Sequence, residues 1–472
     1  MEKPSHKQTS RWTPPTVRAT VIGLGVVSAA VYLVNFRIQG FVPVFSGLTD
    51  IQFYVVMFLF LSALYLGGVV LVLKLIPNEA TSWGLIGIII LLSIVFRISL
   101  LPSEPAVLSS DMYRYIWDGR VQQNGMNPYQ YPPGADEMAK MRDNKIYPNI
   151  NRKDHPTIYP AGAQLFFRIS HSLLGDSVIG FKSVMVFFDT LTMLVLIALL
   201  HHHGLNLSRI IIYAWNPLVI FEIAYSGHLE GLTIFLMSGA LYLSAIHKKI
   251  PGIFMLALAA AVKLYPALLL AAFLNRGARI KGLVAFLTTI LLLYLPFMEA
   301  GKHLSGFLPV YLQNPYESFN LGLKHFLMQL IPGLDCYLLT LLFITLLAIA
   351  GLVVCYRNKK DSEVLWYAYF LTGLLMILMP ASLHPWYLIL IIPFLTVFPN
   401  VAWLVFSGTV SLSYLKYASP QGIMSTWILL IEYLPLFALL TAGFIFSQYT
   451  KPNNIRARHF SPENREMEGM QQ

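Results

Sequence analysis

Aspartate and arginine alternate through one short run, Ser109-Ser110-Asp111-Met112-Tyr113-Arg114-Tyr115-Ile116-Trp117-Asp118-Gly119-Arg120, in a chain whose charged residues make up only 12%. A carboxylate in such company can take a proton from a hydroxyl, and a neighbouring guanidinium can stabilise negative charge as it grows on a leaving group. In a helix, Asp111, Arg114 or Tyr115, and Asp118 fall on one face, and Ser109 or Ser110 would cap it with Asp111 in the first turn. Ordinary surface ion pairs, Asp111 with Arg114 and Asp118 with Arg114 or Arg120, compete as an account of the same residues.

Further candidates are spread along the chain. Asn127-Pro128-Tyr129 and His155-Pro156-Thr157-Ile158-Tyr159-Pro160 describe a rigid aromatic loop that would hold a sugar or lipid head group, or simply line a membrane interface. His228 and Glu230, beside the flexible Gly227, would bind a hydroxylated ligand; two ligands are too few for a metal site. Lys263, next to Tyr265 and Pro266, asks for an anionic partner unless it snorkels to the interface, and His384, before Pro385-Trp386-Tyr387, would donate to a phosphate. The tract His201-His202-His203 reads as a solvated loop.

The elements that must position these groups are membrane helices. Apolar residues are 56% of 472, which at roughly 20 per crossing furnishes about a dozen spans and excludes a soluble fold. Unbroken apolar runs such as Leu85 to Phe96 exclude an alternating outer-membrane barrel. The expected fold is all-α and polytopic, with spans near 18–36, 52–76, 83–101, 178–200, 210–225, 229–246, 279–297, 335–356, 364–382, 385–399, 401–417 and 424–447. The net charge of +10 is topology rather than nucleic-acid binding: Lys and Arg favour cytoplasmic loops. Both flanks of 250–275 are basic, so that segment is expected to be re-entrant, with Lys263 near its middle. This organisation makes 1–17 and 450–472 disordered cytoplasmic tails, 18–101 three first helices, 102–177 a large outer catalytic loop, and 178–449 the remaining helices with an outer loop at 298–334. Cys336 and Cys355 flank one apolar run about 28 Å long and cannot form a disulfide.

This threading collects the unusual polar residues on the outer side, where ionisable groups near membrane depth suggest one site. Nucleotides are scarce there, so a transferase needs a donor delivered in the membrane, and a polyprenyl-phosphate sugar meets that need. Asp111 would deprotonate the acceptor, with Asp118 as substitute, while Arg114, Arg120, Lys263 and His384 surround the phosphate. A good leaving group needs no second acid, unlike the bond that a glycosidase cleaves. Tyr113, Trp117, Asn127, Tyr129, His155, Tyr159, His228, Glu230, Tyr265 and Trp386 would bind substrate. A transporter or flippase of polyprenyl-linked or other anionic substrates is the alternative, since broken helices also serve transport.

The run from Asp111 to Val121 leading to Asn127-Pro128-Tyr129 resembles the first outer loop of bacterial GT-C glycosyltransferases, in particular polyprenol-phosphate-mannose-dependent mannosyltransferases, including glycosyltransferase family 87 and the α-1,6-mannosyltransferases. His155 to Pro160, Trp215-Asn216-Pro217, Ser226-Gly227-His228, Lys263 to Pro266 and His384 to Tyr387 are also similar to family positions. The threading puts both termini on the cytoplasmic side of the inner membrane, and the resemblance implies a GT-C fold, a polyprenyl-phosphate sugar donor, inversion at the anomeric carbon, and a base in the first outer loop, which maps to Asp111; a glycolipid or glycan is the expected acceptor. Relatives often carry two adjacent acids where this chain has Ser110-Asp111, and an Asp in place of Glu230. No metal or other cofactor is therefore expected.

Overall fold

The computed structural model describes residues 14–34, 48–76, 83–103, 108–274, 279–313, 319–358, 360–419, 422 and 424–449, and every regular element among them is helical. Helices that are apolar all round must be buried or face lipid. Among the described residues, seven helices are long and apolar enough to cross a bilayer: Pro15–Val34, Asp50–Leu75, Trp83–Leu100, Val178–His202, Arg279–Gln313, Cys336–Arg357 and Thr426–Ile445. An eighth crossing follows if the bent pair Leu207–Ala214 and Pro217–Tyr225 is one span.

The expected count of about 12 crossings is therefore corrected, and helix length is the reason. Glu230–Ala245 has 16 residues and Lys249–Val262 has 14, short of the roughly 20 a crossing needs. Apolar runs at 364–382, 385–399 and 401–417 are likewise divided into short helices and 3-10 turns. The re-entrant hairpin is not supported as drawn: helix Lys249–Val262 ends at Lys263, which is extended, and short turns follow at Tyr265–Leu269 and Leu270–Phe273. Residues 102–177 are not a large loop either. Their described part contains helices Asp111–Gln123 and Ala161–Leu174, packed on one another, with 3-10 turns between. At the N-terminus the first helix begins at Pro14, inside the expected tail; residues 1–13 and 450–472 lie outside the described residues.

The core is a succession of neighbours: Val178–His202 against Glu230–Ala245, that helix against Lys249–Val262, and this in turn against Arg279–Tyr294. The bent pair lies almost wholly buried within it. Its bend of 57° falls at Trp215-Asn216-Pro217, where proline removes a backbone donor. Asn216 restarts the helix by accepting from Leu218 N at 3.0 Å, and its amide donates to Tyr65 Oη and Ser407 Oγ, each at 3.1 Å. A buried ion pair, Arg97 with Asp189, fastens the same pair to its neighbours. Tyr213 Oη donates to Asp189 at 2.6 Å, and Arg97 Nη1 donates to Ala214 O at 2.8 Å. Ionisable groups at this depth persist where they are paired.

Candidate active site

Helix Asp111–Gln123 is polar in composition yet buried along nearly its whole length, so its charged side chains must find partners within the protein. Ser109 Oγ accepts from the Asp111 backbone N–H at 3.3 Å, and the Asp111 carboxylate sits in the first turn, where the helix dipole favours it. Asp111 Oδ1 accepts from Asn151 Nδ2 at 2.6 Å. Its side chain remains 19% exposed and forms part of the wall of a cavity of about 970 Å³.

Several distant segments build that wall. Asn151 and Arg152 come from the loop after the helix, and Arg152 has φ +50°, a strained backbone of the kind that persists at functional sites. Its guanidinium lies 5.3 Å from the Phe307 ring centre and 5.8 Å from that of Tyr311. Gly306 lets this segment approach: a Cβ there would lie 1.9 Å from Thr157 O, and the same carbonyl accepts from Phe307 N at 3.0 Å. Lys263 enters from the break after helix Lys249–Val262, paired with buried Glu230 at 2.6 Å and 5.4 Å from the Tyr387 ring centre. Lys416 arrives from the far end of the chain. Leu264, Leu268, Ile344, Leu347 and Leu375 add apolar lining to the same cavity.

Rings run from the cavity inward. Phe319 stacks on His384 at 4.6 Å, His384 on Trp386 at 4.4 Å, and Trp386 on His228 at 4.1 Å. Among the described residues neither His384 Nδ1 nor Trp386 Nε1, both buried, has a hydrogen-bond partner.

Of the residues singled out from sequence, Asp111, Arg114, Tyr159, Lys263, Tyr265, His384 and Trp386 line the cavity. His228 and Glu230 are fully buried behind it. The others are engaged elsewhere. Asp118, the substitute base, accepts from Arg114 Nε and Gln164 Nε2, each at 2.8 Å, and is closed off from the cavity. Arg120 is held by Asp143 and Asp176, both at 2.8 Å, and by Met141 O, so its guanidinium is not available to a donor phosphate. Trp117 packs against Tyr147 and Arg120, and Tyr113 is buried in the core. Asn127 donates to Phe297 O at 3.2 Å, and Tyr129 donates to Tyr159 O at 2.8 Å. His155 stacks on Phe307 while its carbonyl accepts from Arg114. These last residues brace the loop rather than face the cavity.

Asn151, Arg152, Tyr311 and Lys416 were not anticipated, and Tyr387 was singled out only as part of the motif that begins at His384. Lys416 had a signal, as the sole charge in the apolar run 401–417; Asn151 and Arg152 sit in a loop already rich in polar residues. Among the described residues no three His, Cys, Asp or Glu side chains converge as a metal site would require.

A family described as alpha-(1->6)-mannopyranosyltransferase, N-terminal domain, matches residues 17–277, more than half of the chain. The match takes in Asp111, Arg152 and Lys263, whereas His384 and Lys416 lie beyond it. No curated protein and no solved structure matches the chain. With its apolar helices and this match, the chain belongs to the alpha-(1->6)-mannopyranosyltransferase family and is a multi-pass membrane glycosyltransferase.

Proposed function

We propose that the protein transfers mannose from a polyprenyl-phosphate donor to a hydroxyl of a lipid-linked or glycan acceptor, at the outer face of the cytoplasmic membrane and with inversion. The observation that carries this reading is the position of Asp111 on a cavity wall shared with Arg152, Lys263 and Lys416. The acceptor oxygen attacks the anomeric carbon as Asp111 takes its proton, and the bond from that carbon to the phosphate oxygen breaks on the opposite face. Polyprenyl phosphate departs with the electron pair, and the cations stabilise the charge gathering on it. The cavity volume is at the upper end of ordinary small-molecule sites, and a lining that includes both cations and apolar side chains suits a phosphate joined to an isoprenoid chain.

Charge placement supports the outward orientation. Lys249 begins helix Lys249–Val262 and pairs with Asp361 at 2.9 Å, while Lys263 ends it in the cavity. Fourteen residues hold these ends about 21 Å apart. Arg279 donates to Cys355 O at 2.7 Å, close to Arg357 in sequence, so basic groups gather at the end away from the cavity, as a cytoplasmic face would have them. An even count of eight crossings would keep both termini on that face.

Asp111→Asn tests the reading. It keeps shape and hydrogen bonding but removes the base, so transfer should fall about 10²-fold or more while donor binding and thermal unfolding stay as they were. Retained turnover would take Asp111 out of the mechanism. A flippase of the same lipid would keep its flux in this variant.

A further inference from the structure

Behind Asp111 the protein buries an acid and an imidazole for which the transfer step, as written above, has no use. His228 is fully buried, with Nδ1 3.9 Å from Asp111 Oδ2 and Nε2 3.4 Å from Glu222 Oε2. Glu222 is fully buried as well, and its Oε1 accepts from Tyr414 Oη at 2.6 Å. A line of four side chains thus runs inward from the cavity wall: Asp111, His228, Glu222, Tyr414.

The backbone is shaped to make this line. Phe221–Tyr225 form a single wide π-helical turn, closed by Ser226 N donating to Phe221 O at 2.9 Å, an irregularity found mostly where function requires it. Gly227 follows with φ +74°, and a Cβ there would meet Met112 Sδ at 2.6 Å. Met112 is the neighbour of Asp111, so the turn carrying His228 presses directly on the start of the helix that carries the base. His228 N then donates to Glu222 O at 3.0 Å, and the imidazole is held flat against Trp386.

Among the described residues, both ring nitrogens of His228 and Glu222 Oε2 are buried without a hydrogen-bond partner. Such atoms are rare in folded proteins, and catalytic hydrogen bonds that are long in the free enzyme commonly tighten once substrate is bound. Each unpartnered nitrogen has a carboxylate oxygen within 4 Å, and reaching about 2.9 Å takes movements of about 1.0 Å on the Asp111 side and about 0.5 Å on the Glu222 side.

We propose that His228 is a positioning residue for Asp111, itself held by Glu222; this rests on the reading of Asp111 as the base. Nδ1–H donates to Asp111 Oδ2 while Asn151 holds Oδ1, which fixes the plane of the carboxylate and leaves a lone pair for the acceptor hydroxyl. That tautomer makes Nε2 an acceptor, and a protonated Glu222 Oε2 satisfies it. No proton is transferred along the line; it sets the orientation in which Asp111 meets its substrate.

The test uses the purified full-length protein, a synthetic polyprenyl-phospho-mannose as donor and octyl α-mannoside as acceptor. His228→Phe keeps a ring on Trp386 but offers no N–H, and should lower kcat on the order of 10- to 100-fold with donor KM little changed. His228→Asn places an amide N–H close to the position of Nδ1 and should restore most of the loss. Glu222→Gln, whose amide can donate to Nε2, should stay within about threefold of the parent, whereas Glu222→Leu should resemble His228→Phe. The double variant Asp111→Asn with His228→Phe should be no slower than Asp111→Asn alone, since two residues acting as a unit are not additive. If His228→Phe keeps its kcat, or Glu222→Gln falls as far as Glu222→Leu, the positioning role is wrong. A loss in Asp111→Asn measured alongside leaves the base assignment standing. If Asp111→Asn itself keeps its kcat, the base assignment fails and takes the positioning role with it.

Discussion

The two ends of helix Asp111–Gln123 carry the same kinds of side chain to different ends. Asp118 is 1% exposed and fully provided for: Arg114 and Gln164 donate to its two oxygens, Gln164 also donates to Thr157 Oγ1, and the rest of the Arg114 guanidinium is taken by His155 O. Asp111, two turns earlier, has one strong donor in Asn151, an imidazole just beyond hydrogen-bond range, and an open side toward the cavity. A carboxylate with a donor on each oxygen, one of them a guanidinium, and no opening to the cavity cannot readily take another proton. One left partly unprovided, among cations held apart by the fold, is ready to. Residue type and helical phase are alike at the two positions; the difference lies in how many donors the rest of the chain delivers to each.

The largest effect expected is at the closed end. Asp118→Ala leaves the buried guanidinium of Arg114 without its counterion, which should cost about 3–5 kcal/mol of stability. Thermal unfolding in detergent measures it, and an unshifted melting temperature would show that the pair does not hold the loop. The contrast with Asp111→Asn sharpens the comparison: that variant should melt with the parent and lose turnover instead. Should the two swap, with Asp118→Ala folded but inactive, Asp118 would be the base.

How much of this was legible follows from the same distinction. Hydropathy suffices for an all-α membrane protein because a lipid-facing backbone must satisfy its own hydrogen bonds. The acid-and-arginine run was visible as chemistry, since charge is costly in such a chain. Hydropathy does not report where an apolar run is divided: Pro385 and Pro393 each sit at the start of a short helix or turn, and the crossing expected at 385–399 fails there, while Pro266 starts a turn in the segment expected to be re-entrant. Nor does it report which of two aspartates is closed, because Gln164, itself held by Thr157, reaches Asp118 from 46 residues away. Glu222 was not singled out from sequence, yet a widened turn brings it to 3.4 Å from His228. Arg97, the one charge in its apolar helix, and Asp189, which shares its own helix with Lys182, did carry a signal, and it points to structure rather than to catalysis.

A smaller effect tests the open end from the donor's side. Arg152 lines the cavity and would meet phosphate charge that exists before transfer begins as well as charge that grows during it. Arg152→Gln should therefore raise the KM for polyprenyl-phospho-mannose about tenfold, the worth of one charge-assisted hydrogen bond, with less change in kcat. A drop confined to kcat would mean that Arg152 acts only on the transition state; no change in either would remove it from the phosphate site.

The smallest effect belongs to the outermost contacts of the closed end. Burial alone would raise the Asp143 carboxyl, but hydrogen bonds from Arg120 and from the Ile146 and Tyr147 backbone N–H groups outweigh it and hold it at about 2, against an ordinary value of 3.8. A carboxyl whose pKa is lowered by folding stabilises the folded state above the unfolded value, and that contribution is lost as pH falls from about 4 through about 2. The side chain is 34% exposed, so solvent screening limits the contribution to on the order of 1 kcal/mol or less. Acid unfolding should accordingly begin at slightly higher pH in Asp143→Asn, and the difference between variant and parent should vanish below about pH 2, where both side chains are neutral. Arg120 retains Asp176 and Met141 O in that variant, so helix Asp111–Gln123 stays anchored and transfer at neutral pH should be unaffected. Loss of activity there would mean that the closed end reaches the cavity after all, through the loop that carries Asn151 and Arg152.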